Sequence, residues 1–113
     1  MKSKTFKIPI YHSKVKIIFD KDLSFVENKY NTKSLKDYGA VTMRKPNKFG
    51  EYIVAFKYYS GSIIAHEVVH LVNYIFQDRC VELDRFNDEH QAYLTGWLFS
   101  KIDKFLNSTK NDK

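Results

Sequence analysis

The sequence predicts an α+β domain, a small and largely antiparallel sheet packed on two long helices, and three observations predict it. Four short runs in the first half show strand-like alternation. The stretch from Ser62 to Phe76 is apolar and free of helix breakers. A second helical periodicity then runs from Asp88 or Glu89 to Phe105. At 113 residues the chain is long enough for one core, with two or three helices on a sheet. The single domain is expected over residues 1–106, with residues 107–113 a frayed polar tail.

The elements follow in order. Phe6, Ile8 and Ile10 alternate over Thr5 to Ile10, and Val15, Ile17 and Phe19 over Lys14 to Phe19, so both read as half-buried strands. Pro9 places the first of them on an edge or bends it, because proline cannot donate to a sheet ladder. Asp20 or Asp22 caps a short helix through Leu23, Val26 and Tyr30, and Asn31 to Gly39 is polar and loop-like. Val41 to Arg44 and Glu51 to Tyr58 form a hairpin whose turn is supplied by Pro46 and Gly50. Ser60, Gly61 and Ser62 provide a break and an N-cap for the next helix, which runs to about Gln77. Gly96 in the last helix costs about 1 kcal/mol in helix propensity, which points to close packing against a neighbour.

Composition narrows the class. Hydrophobic residues make up 43% and aromatics 16%, which fits a folded globule. The start Met-Lys-Ser-Lys-Thr-Phe-Lys never opens into the apolar run of a signal peptide. The apolar stretch around residue 67 carries Glu67, His66 and His70 near its middle, so it is a buried helix rather than a membrane span. The one cysteine, Cys80, cannot form an internal disulfide and reads as a small buried side chain in a reducing compartment. A cytoplasmic, membrane-free location is therefore expected. Residues 1–57 carry thirteen Lys and Arg against five acids, and residues 58–113 six against eight. The basic half could face an acidic protein partner or an anionic surface. Without a basic cluster interleaved with stacking aromatics, nucleic acid is not the expected partner.

The chemistry lies at His66-Glu67-Val68-Val69-His70. Residues four apart on a helix project about 40° from each other and one turn along, so His66 and His70 can share one ion. Neutral imidazole is a good zinc ligand, and Glu67 lies beside that ion, placed to take a proton from water. Flanks such as Ile64, Val68, Leu71, Val72 and Ile75 make the helix apolar nearly all round, where two His and a Glu need a reason. The bland reason is a pair of hydrogen-bonded core histidines.

Eighteen residues separate His70 from Glu89, which stands in Asn87-Asp88-Glu89-His90-Gln91-Ala92-Tyr93. With that spacing, H-E-x-x-H-x18-E, residues 62–99 resemble the zincin metallopeptidases of the gluzincin branch. The resemblance implies Zn²⁺ on His66, His70 and Glu89, with Glu67 as general base. Asp84, Asp88 and His90 compete for the third position. Tyr93, four residues after Glu89, is a candidate hydrogen-bond donor to an oxyanion and otherwise a packing aromatic; His90 has a similar claim. Asn73 or Asp84 is placed to orient a ligand imidazole.

The function implied is hydrolysis of a peptide or other amide bond in a peptide or protein substrate. Known gluzincin peptidases are larger, with a helical domain that closes the cleft. This chain is most similar to small zincin-like proteins of phages and bacteria that keep only the sheet and the two metal helices. A second class of function is therefore a catalytically silent metal-binding module, such as a phage virion or assembly component. In zincin-like folds the strand before the H-E-x-x-H helix is often the sheet edge that pairs with extended substrate, which here nominates Glu51 to Lys57; the alternative is that this strand is simply an inner one.

Overall fold

The computed structural model describes residues 1–110. It is an α+β arrangement of a four-stranded mixed sheet and three helices. In chain order these are β1 (Lys2–Ile8), β2 (Ser13–Phe19), α1 (Ser24–Tyr30), β3 (Ala40–Arg44), β4 (Glu51–Phe56), α2 (Gly61–Asp78) and α3 (Glu89–Lys110). The strand order is β1-β2-β4-β3, with β1 and β3 antiparallel to their neighbours and the central β2–β4 pair parallel.

Alternation along β4 explains the layers. Tyr52, Val54 and Phe56 face one side with Val15 and Ile17, where α2 and α3 supply Ile64, Leu71, Ile75, Leu98 and Ile102. Ile53 and Ala55 face the other side with Ile18, covered by Leu23 and Val26 of the α1 segment and by Leu35. A strand dry on both faces belongs inside a sheet. The expectation that Glu51 to Lys57 forms the substrate-pairing rim is therefore overturned. β4 lies between β2 and β3, and β3 is the edge.

Capping sets the ends of the helices. Asp20 and Asp22 both serve α1, accepting from the N–H groups of Phe25 and Ser24 at 3.0 Å each. The Ser60 hydroxyl accepts from the N–H of Ile63 at the start of α2. At the other end Cys80 adopts a left-handed φ of 57°, and Val81 N–H reaches back to the Phe76 carbonyl at 2.8 Å. That closure stops the helix and turns Val81 onto the core. Cys80 itself is exposed, not buried as its composition class implies.

Three further expectations change. α3 continues through Lys110 with Thr109 buried, so residues 107–110 are helix and not tail; residues 111–113 lie outside the described residues. Gly96 touches no neighbour, since a Cβ built there meets nothing within 4 Å. α2 is not buried all round: Val69 is 55% exposed, and His66, His70 and Asn73 share its open side. Among the described residues no helix is long and apolar enough to cross a membrane.

α2 is pinned to β3 by polar contacts at two levels. Near its C-terminus, Asp78 accepts from Arg44 Nε at 3.0 and 3.1 Å and from Tyr52 Oη at 2.7 Å. The Arg44 hydrogen bond, against some desolvation, holds the Asp78 carboxyl below the usual carboxylate value. A carboxyl depressed by folding contributes stability above its unfolded value and loses it as pH falls through the folded one. Asp78→Asn is expected to cost about 1 kcal/mol at neutral pH. The variant should also show a shallower loss of stability below about pH 4 than the parent, read by urea unfolding across pH.

Candidate metal centre

His66 and His70 meet as the motif requires. Their Nε2 atoms stand 3.2 Å apart, with ring centroids at 4.8 Å and planes at 73°. Without a cation, that separation is a hydrogen bond in which one imidazole donates and the other accepts. With zinc–nitrogen distances of about 2.0–2.1 Å and tetrahedral angles, two ligand nitrogens lie about 3.3 Å apart. The separation of the pair is therefore close to that of two corners of such a site.

Glu67 is buried beside them, at 7% exposure. One of its oxygens, Oε1, accepts a hydrogen bond from Thr42 Oγ1 at 2.7 Å, and the other, Oε2, lies 3.9 Å from His66 Nε2. One oxygen is thus tied to the sheet, and the other is turned toward the imidazole pair. Thr42 stands opposite Val54 in the β3–β4 ladder, so its side chain falls on the helix-bearing side of the sheet. Sequence reading missed Thr42. Its only signal is the polar position in the Val41 to Arg44 alternation, where Thr42 and Arg44 meet Glu67 and Asp78 three turns apart on α2.

The histidine pair and Glu67 line a surface shared with β3 and with the loop that follows α1. Two depressions of about 420 and 440 Å³ flank it, sharing Tyr38, Ala40, His66 and Glu67. Asp37 and Tyr58 line the first, while Thr42, His70 and Tyr74 line the second.

Glu89 does not join this group. Among the described residues no three His, Cys, Asp or Glu side chains come together as a metal-holding set. Helix lengths give the reason. α2 runs on from His70 to Asp78, the connection takes residues 79–88, and α3 begins at Glu89 itself. The first eight intervening residues carry the chain away from the pair, and the other ten are used in turning it round. Phe76 stacks on His90 at 5.4 Å, which puts Glu89 level with the end of α2. That is roughly 10 Å along the axis beyond His70 at 1.5 Å per residue. Levelling the helices by that stack and by the Tyr59–Asp103 hydrogen bond of 2.6 Å sets Ala92 to Ser100 opposite the pair. That stretch contains no metal-ligating side chain.

The remaining candidates also fall elsewhere. Tyr93 is 58% exposed on α3 and lines neither depression. His90 is a stacking partner for Phe76. Asp84 accepts from the Phe86 N–H, and Asn73 is exposed on α2, so neither orients an imidazole. No known protein family, curated protein or solved structure matches the chain.

The Thr42 hydroxyl is the one protein hydrogen bond to the buried Glu67 carboxylate among the described residues. Thr42→Val keeps the shape and removes the donor, so it is expected to destabilise the fold by about 2 kcal/mol. Urea unfolding at neutral pH checks this, and an unchanged midpoint would mean that the carboxylate is satisfied by solvent.

Proposed function

We propose that this chain is a minimal zinc-dependent metallopeptidase, hydrolysing a peptide or other amide bond, with His66 and His70 as metal ligands and Glu67 as general base. The observation that carries the reading is the convergence of the two Nε2 atoms at 3.2 Å beside a buried carboxylate that keeps one oxygen free. When bound, the cation would polarise the scissile carbonyl and acidify water at its open positions.

The chain's own residues do the rest. Glu67 Oε2 accepts a proton from the attacking water and later returns it to the leaving amine. The Thr42 hydroxyl fixes Oε1, so the carboxylate cannot rotate away between the two transfers. The free edge of β3, rather than β4, offers backbone groups to an extended peptide, with Ala40 and Thr42 at the cleft. Such pairing holds a substrate while reading little of its sequence.

A second reading, a catalytically silent zincin-like metal-binding module, is favoured by one observation, the absence among the described residues of a third protein ligand beside the pair. Two imidazoles hold zinc less firmly than the three ligands of a catalytic site.

The readings separate in one experiment. Under the enzyme reading, purified protein carries zinc, cleaves members of a peptide library, and loses about 10²–10⁴-fold in rate with Glu67→Gln while keeping its zinc. His70→Ala should lose the metal as well. Zinc retained by the parent with no peptide cut would leave the silent module, and hydrolysis surviving in Glu67→Gln would remove the base assignment.

A further inference from the structure

We propose that the outward face of α3 pairs antiparallel with the same face of a second copy, forming a twofold dimer centred on Gly96. The inference is independent of the metal centre, which opens on the opposite flank of α2.

Among the described residues nothing covers this face. Glu89, Ala92, Tyr93, Gly96, Ser100 and Lys104 follow one another at helical spacing, and all are exposed. A glycine in the interior of a 22-residue helix weakens it, and nothing among the described residues requires one here, since a Cβ at residue 96 would meet open space. A second helix lying across this position gives the missing side chain a use, because helices approach closely where side chains are small.

Charge selects the occupant. The face begins with the acidic Glu89 and ends with the basic Lys104. Among the described residues neither makes an ion pair. Reversing a second α3 about Gly96 sets Ala92 against Ser100 and, within one residue of register, Glu89 against Lys104, twice over. The helix macrodipole alone accounts for an acid at the start of α3 and a lysine towards its end. It does not account for the bare glycine, for the exposure of Tyr93, or for Phe86, 97% exposed on the connection into α3. In the reversed pair, Phe86 comes level with the partner's C-terminal half of α3. There Phe105 and Phe6 line an open groove of about 360 Å³. A twofold contact is self-complementary and closes at two copies.

The contact is narrow, so half-dissociation is expected at about 10–100 µM. Sedimentation velocity from about 10 µM to 1 mM, with chelator present, should show the mass rise to two chains and stop there, the more weakly the higher the salt. Glu89→Lys alone and Lys104→Glu alone should each stay monomeric, with circular dichroism confirming that they fold. An equimolar mixture of the two should recover the dimer, because each unlike contact is restored. Gly96→Glu should abolish association in the otherwise unchanged chain. A monomer at every concentration would overturn the proposal, as would a dimer indifferent to these variants or a mixture that fails to associate. A dimer seen only when zinc is added would overturn it too, by moving the contact to the histidine pair.

Discussion

β4 is the constraint on which the remainder of the molecule rests. Its residues Tyr52 to Phe56 are buried on both faces, so the strand has to sit inside the sheet with apolar cover above and below. The hairpin then leaves β3 as the outer strand, and the short Lys57 to Ser60 link brings α2 back over the sheet. α2 cannot centre itself on β4, because α3 occupies the space over β2. It settles toward β3, with His66 and His70 turned out beyond the edge and Glu67 turned in. The half-open position of the histidine pair follows from where the neighbouring layers leave room.

Local signals in the sequence were read correctly where they depend only on nearby residues. The alternations of Val15, Ile17 and of Tyr52, Val54, Phe56, the acceptors at Asp20, Asp22 and Ser60, and the four-residue spacing of the histidines all translate into structure, whereas Ile10, expected to continue the first strand, lies past its end, 77% exposed with a left-handed φ of 75°. What failed depends on distances between elements. A spacing of eighteen residues says nothing about how many of them α2 will consume, and two turns past His70 carry the chain away from the pair. Gly96 illustrates the same limit: a small residue announces close approach but not to what, and α3 turns it outward. Thr42 was invisible for a related reason. Its importance comes from lying across from a helix 25 residues later, a relation fixed only when the hairpin and α2 have packed.

The two sides of the α2–α3 layer differ in character. Toward β3, polar side chains reach between elements: Thr42 to Glu67, Arg44 and Tyr52 to Asp78. Toward the middle, packing is almost wholly apolar, from Ile64 through Leu106. Apolar contact sets how far apart the layers sit but tolerates sliding, whereas hydrogen bonds to carboxylates have short range and direction. The polar seam therefore sets the register of α2 along the sheet edge, and with it the positions of His66 and His70.

Because Thr42 belongs to the outermost strand and holds Glu67 by one oxygen, the aim of the other oxygen is mechanically slaved to that strand. Were a molecule to line up along β3 and draw it outward, Oε2 would swing relative to the imidazoles. Occupation of the margin and alignment of the carboxylate are two readings of a single displacement.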